Sequence, residues 1–263
     1  MLTITPIPAL DSNYFWVIQP ATHSPAVYVV DPGDAAPVIE FLDRNKLTLT
    51  AIIITHRHRD HTGGIADLLE YRRVPVYGPE SELIPLISHP LKDGDALYLD
   101  GLELQVIGVP GHTWEHIAYL YSGEQAKNPL LFCGDALFAG GCGRRFDGTA
   151  EIMWDSLQKL AALPDDTLVY CAHEYTLANL EFAQAVEPDN KELVDRLEHV
   201  RQLRAKDQMT LPSSILLEKR TNPFLRCQQL GIKIFSEAIS KRQLDTDAEV
   251  FGALRLIKDT WPS

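Results

Sequence analysis

Three absences limit what this 263-residue chain can be: no Lys or Arg in the first 20 positions, no long apolar run, and no C-x-x-C pair among its four cysteines. The first argues against a secretory leader, because such a segment opens with a basic stretch before its apolar core. The second argues against a membrane span, which needs roughly 18 consecutive apolar residues. The third leaves Cys133, Cys142, Cys171 and Cys227 as free thiols. With no leader, the expected compartment is the reducing cytoplasm. Positive charge is also scarce: 24 Lys and Arg against 36 Asp and Glu give a net charge of −12. Nucleic acid is therefore a poor partner on average charge, since binding it requires a basic face that neutralises phosphates. No glycine-rich phosphate loop or dinucleotide fingerprint occurs, so no nucleotide cofactor is implied.

What is present is globular. An apolar fraction of 45%, with 16 Gly and 17 Pro, suits a packed core and not a disordered chain. The length fits one large or two modest domains. Short β-rich runs at 14–18, 26–30, 51–54, 74–77, 97–99, 102–109, 117–121, 130–133 and 167–171 alternate with helical patterns at 35–45, 63–73 and 151–162. This texture predicts an α/β fold of layered sheets covered by helices. Beyond residue 174 strand signals fade. Leu193, Leu197, Val200 and Leu203 recur at helical spacing, and Thr246 with Glu249 forms a capping-box signature that opens a second helix through Val250, Leu254 and Ile257. The expected division is an α/β domain over 1–173 and a smaller helical domain over 174–263.

The informative segment is Thr55-His56-Arg57-His58-Arg59-Asp60-His61, directly after the apolar run Ala51–Ile54. In extended backbone, side chains two apart share a face, so His56 and His58 can grip one ion together. Asp60 and His61 follow a turn eased by Gly63 and Gly64 and could face a neighbouring site. Neutral imidazole and carboxylate suit zinc or iron. His112, Asp135 and His173 repeat the context, each one to three positions past an apolar strand. Side chains at the carboxyl ends of strands converge in α/β sheets. Five histidines and two aspartates are enough for two ions when one carboxylate bridges.

The segments THRHRDH, PGHTWEH, CGDALF, GGCGR and AHEYT, with DPGD at 31–34, resemble the metallo-β-lactamase superfamily and, within it, the glyoxalase II (hydroxyacylglutathione hydrolase) family over essentially the whole chain. The resemblance implies an αββα sandwich with a dinuclear site at one edge. His56, His58 and His112 would hold one ion, and Asp60, His61 and His173 the other, with Asp135 bridging. Zinc is the leading metal, with iron or manganese as alternatives. Two such ions would acidify a shared water to a hydroxide that attacks a thioester carbonyl, so no Ser or Cys nucleophile is needed. The implied activity is hydrolysis of S-(2-hydroxyacyl)glutathione, S-D-lactoylglutathione above all, to glutathione and a 2-hydroxy acid, the second step of methylglyoxal detoxification.

Glutathione carries two carboxylates, so its site needs cations. Arg144 and Arg145 lie in a glycine-rich loop soon after Asp135, and Arg255 and Lys258 sit three apart on one helical face. By resemblance these four, with Phe146 and Tyr175, line the glutathione site. Phe146 stands where some family members have Tyr, and Glu115 where the pattern often has Gly. Asp31 and Asp34 are expected at most to support the site's edge, and His116 to act behind the ligands. His23, His89 and His199 read as surface residues, Trp114 and Trp154 as packing groups, and Cys133 and Cys171 as core. A monomer that binds neither nucleic acid nor membrane is the default. The rivals are a mono-iron persulfide dioxygenase of the same superfamily, a lactonase or nuclease, and a metal-binding module without turnover.

Overall fold

The computed structural model describes residues 2–20 and 24–261; His23 lies outside them. The described chain forms two compact units. One runs to Val109 and resumes over Glu115–Gly134; the other comprises Pro110–Trp114 and the chain from Asp135 onward.

The first unit contains β1 (Thr3–Ala9), β2 (Asn13–Gln19), β3 (Ala26–Val30), α1 (Ala35–Asn45), β4 (Thr48–Ile53), α2 (Arg59–Thr62), α3 (Ile65–Tyr71), β5 (Val76–Pro79), β6 (His89–Leu91), β7 (Ala96–Leu99), β8 (Leu102–Gly108), β9 (Ile117–Tyr121) and β10 (Leu130–Gly134). β1 to β6 form one sheet in chain order, antiparallel through β3 and parallel thereafter. β7 to β10 form an antiparallel meander in the same unit. On β2, Phe15 and Val17 join Val27, Val29, Leu49 and Ile52 against Val38 and Leu42 of α1 and Ile65 and Leu68 of α3. The alternate residues Trp16 and Ile18 are buried as well, so β2 is covered on both faces, as the continuous apolar run required. Asp34 is the N-cap of α1, accepting from Ala36 N at 3.0 Å.

The sequence pattern missed β1, whose Pro6 and Pro8 argue against a strand. Proline is tolerated there because β1 is the sheet edge: both prolines sit in register with β2, opposite Trp16 and Tyr14, on a strand that needs only one partner.

The second unit contains β11 (Leu137–Phe138), β12 (Gly141–Cys142), α4 (Ala150–Ala161), β13 (Leu168–Cys171), α5 (Thr176–Val186), α6 (Lys191–Arg204), β14 (Ser213–Ser214), α7 (Ile215–Thr221), α8 (Leu230–Ser240) and α9 (Asp247–Asp259). β11 and β12 make a small hairpin, and β13 pairs antiparallel with the two-residue β14. The expected stripe on α6 buries Leu193, Leu197 and Val200 against Leu180 and Ala183 of α5. The capping box at Thr246 and Glu249 opens α9 as read. No helix among the described residues is long and apolar enough to cross a membrane.

Candidate metal centre

In the first unit, β4 ends at Ile53 and delivers Thr55 and His56 just past its carboxyl end; the chain bends over residues 55–57 instead of staying extended, and His58 caps α2. His56 Nε2 and His58 Nδ1 stand 3.1 Å apart, and His61 Nε2 lies 3.3 Å from Asp60 Oδ2. His56 and His61 are fully buried.

Asp31 organises this cluster. Its Oδ1 accepts from Thr55 N at 2.8 Å, and its Oδ2 accepts from Thr55 Oγ1 at 2.7 Å and from His61 Nδ1 at 3.0 Å. Thr55 spends its hydroxyl hydrogen on Asp31, so at 3.0 Å from His56 Nδ1 it acts as the acceptor. Both rings therefore carry hydrogen on Nδ1 and turn the Nε2 lone pair inward, as carboxylate-oriented metal ligands do. Asp31, His56 and His61 form a group with ligand atoms within 4.8 Å of one another, but both Asp31 oxygens already face donors, so its part is to orient. Asn13 fixes Asp60 in the same way, donating to its Oδ2 at 3.1 Å and its carbonyl at 3.3 Å. Gly33 of DPGD lies flush on that loop: a Cβ there would sit 1.9 Å from the Asp60 carbonyl oxygen.

The second unit brings His112, Asp135 and His173 together. His112 Nε2 lies 3.4 Å from Asp135 Oδ2, and His173 Nε2 lies 3.3 Å from Asp135 Oδ1. His112 Nδ1 donates to the Arg144 carbonyl at 2.7 Å, so its Nε2 faces the carboxylate as an acceptor. Two acceptors at that range repel unless a cation or a proton lies between them. The same holds between His61 and Asp60. Buried imidazole nitrogens opposed to carboxylate oxygens in both units are a donor set that fits a divalent ion of borderline hardness.

The glutathione candidates all lie in the second unit. Arg144 Nε and Arg255 Nη2 each lie 3.2 Å from Asp259 Oδ1, so a residue absent from the sequence reading draws these two together. Arg255 is buried; it donates to the Cys142 carbonyl at 2.9 Å and lies over the Phe224 ring at 5.0 Å. Lys258 is half-buried, donating to the Ala178 carbonyl at 3.2 Å beside Phe182. Burial, and then the nearby Arg255 charge, push its amine down to about 8. Arg145 donates to the Gly148 carbonyl at 2.7 Å. Phe146 is exposed and packs edge-on to His112 at 5.3 Å, and Tyr175 stacks on His173 at 4.6 Å.

A buried polar network holds the turn that joins β11 to β12. Glu218 accepts from Gly140 N at 2.8 Å, from Arg196 Nη2 at 2.6 Å, from Asn222 Nδ2 at 3.0 Å and from Ser213 Oγ. Asn222 also donates to the Gly141 carbonyl at 2.8 Å, and Asn179 to the Ala139 carbonyl at 3.2 Å. The sequence reading missed all five side chains, because a polar residue in or beside a helix gives no signal that it points inward. Trp114, expected to be a packing group, is 58% exposed: its backbone N–H donates to Asp147 Oδ2 at 2.9 Å, and the edge of its ring faces Gly148. His116 is buried, its ring stacked on that of His56 at 4.6 Å. His89 and His199 are exposed, and Cys133 and Cys171 are buried, as read.

Known proteins resemble this chain in sequence and in fold. The family model described as Metallo-beta-lactamase superfamily matches residues 9–173, and that described as Hydroxyacylglutathione hydrolase C-terminus matches residues 174–261. The chain is 50% identical to the hydroxyacylglutathione hydrolase of Pseudomonas savastanoi pv. phaseolicola, over 98% of this chain and 99% of that one. The crystal structure of ETHE1 from Myxococcus xanthus shares the fold, with a TM-score of 0.64 at 24% identity over 98% of each chain. TTHA1623 in a di-iron-bound form gives a TM-score of 0.58 at 25% identity, over 84% of this chain and 100% of that one. The fold is thus a metallo-beta-lactamase domain followed by a smaller helical one, and the chain belongs to the metallo-beta-lactamase superfamily and, within it, to the hydroxyacylglutathione hydrolase family.

Proposed function

We propose that the chain hydrolyses the thioester of S-(2-hydroxyacyl)glutathione, S-D-lactoylglutathione in particular, to glutathione and a 2-hydroxy acid such as D-lactate. It would thereby carry out the second step of methylglyoxal detoxification. The observation that carries this reading is the half identity, over nearly the whole chain, with proteins named for that reaction. In this proposal His56, His58 and His112 hold one divalent ion and Asp60, His61 and His173 a second, with Asp135 shared between them. Zinc fits the imidazole-rich set best, and iron and manganese are the alternatives. Bound there, the ions would supply a water acidified towards neutrality and an electrophile for the thioester oxygen.

The chain's own residues do the rest. Asp31 keeps His61 in the tautomer that presents Nε2, and the Arg144 carbonyl does so for His112. Arg144, Arg145, Arg255 and Lys258 are the cations for the glutathione carboxylates, and Phe146 and Tyr175 are apolar walls beside His112 and His173. Residues 1–173 form the catalytic domain and 174–263 the glutathione-binding one. The protein acts as a cytoplasmic monomer on a small molecule, with neither nucleic acid nor membrane as partner. The test is the loss of thioester absorbance when S-D-lactoylglutathione is mixed with the purified protein. Rapid loss is expected; no loss, alongside turnover of lactones or phosphodiesters, would reassign the substrate.

A further inference from the structure

Glu115 is a departure from the family pattern, and its surroundings give it a task. Ile117, the first residue of β9, donates its N–H to the Thr55 carbonyl at 3.0 Å. Two residues before Ile117, the Glu115 side chain holds the same bend: its Oε1 accepts from Arg57 N at 3.0 Å. Its Oε2 accepts from Arg57 Nη1 at 2.6 Å, so one carboxylate grips both the backbone and the side chain of the same residue. The pair is well covered, with the Glu115 side chain 9% and the Arg57 side chain 23% exposed. Arg57 stands between His56 and His58 in a bend of the chain, and the backbone at Arg57 sets how the two rings meet, 3.1 Å apart at His56 Nε2 and His58 Nδ1. The neighbour of Glu115, His116, stacks on the His56 ring with 13° between planes. Three consecutive residues, 115 to 117, thus hold three consecutive residues, 55 to 57.

We infer that Glu115 is a positioning residue: by fixing the backbone at Arg57 it sets the geometry of the His56–His58 pair and hence its affinity for a divalent cation. This rests on the metal-dependent reading above. The ion pair with Arg57 cancels the carboxylate's charge, so the contribution comes through the hydrogen bond to Arg57 N and not through attraction of the cation. A residue that keeps the acceptor and drops the charge must then preserve affinity.

The test is zinc titration of the metal-free protein against a chromogenic chelator, for wild type, Glu115→Gln and Glu115→Ala, with thermal melting of each metal-free protein alongside. Glu115→Ala is expected to weaken zinc binding by about 10- to 100-fold, the usual effect of removing a group that orients a ligand. Glu115→Gln should stay within about threefold of wild type, since its amide oxygen still accepts from Arg57 N. Glu115→Gly, the residue frequent at this position in the family pattern, serves as a second truncation should the alanine variant not fold. Wild-type affinity in both truncations, or a glutamine variant as weak as the truncations, overturns the inference. Absence of zinc uptake by the wild-type protein itself would instead sink the metal-dependent reading on which it stands.

Discussion

Exchanging Glu218 for leucine should come close to unfolding the second unit, although Glu218 touches none of the proposed metal ligands. The carboxylate is fully buried, and Arg196, with its side chain 7% exposed, is its charge partner at 2.6 Å. Removing one member of such a pair leaves an uncompensated buried charge, a loss of about 3–5 kcal/mol. The Gly140 N–H, which donates to Glu218 Oε2 at 2.8 Å, also loses its acceptor, adding about 1–3 kcal/mol. The sum, about 4–8 kcal/mol, rivals the whole stability of an ordinary domain. Pairing the change with Arg196→Met removes the stranded charge and should recover most of the ionic part, leaving the roughly 1–3 kcal/mol owed to the Gly140 amide. Urea unfolding of wild type, the single variant and the double variant measures all three. A single variant losing under about 1 kcal/mol, or a double variant no more stable than the single one, would refute the reasoning.

Asp31→Ala removes the acceptor for His61 Nδ1 and for both donors of Thr55, and should weaken zinc binding by about 10- to 100-fold in a chelator competition; unchanged affinity would make Asp31 a turn residue only. Gly143→Ala would place a methyl 2.0 Å from the Asp135 carbonyl oxygen and 2.9 Å from His112 Nδ1, so the purified variant should carry less metal and turn over more slowly. Full metal content with normal turnover would contradict that. Lys258, its amine pushed down to about 8, is charged below that pH and neutral above it. The KM for the anionic thioester should therefore climb between about pH 7 and 9 in wild type and stay high and flat in Lys258→Met. A wild-type KM that does not change across this window would remove Lys258 from the binding face.

The proposed ligands were legible because chemistry and position coincide in them: His56, His112, Asp135 and His173 are polar residues just past strands that end in apolar residues, where burial has to be justified by function. The strands were legible for the same reason, since continuous runs such as Ala26–Val30 and Ile117–Tyr121 are buried on both faces. The groups that aim the ligands were not legible. Asp31 reads as a turn residue in DPGD, and only the fold reveals that its side chain, from a backbone with φ of 52°, turns back to Thr55 and His61. Asn13 meets Asp60, Asn179 the Ala139 carbonyl, Glu218 the Gly140 amide and Asn222 the Phe138 carbonyl across 40 to 84 positions of sequence, and no local pattern encodes such a pairing. Arg255 and Lys258 could be placed on one helical face by spacing, but the burial of Arg255 and the meeting of Arg144 with Arg255 at Asp259 depend on α9 packing beside the β11–β12 turn.

The most direct test of the account is to strip the protein of metal, add zinc in measured equivalents, and follow hydrolysis of S-D-lactoylglutathione at each step. The account predicts no turnover in the stripped protein and activity that rises until two equivalents are bound, with Asp135→Ala neither taking up both ions nor regaining activity. Full turnover by metal-free protein, or by Asp135→Ala, would contradict it.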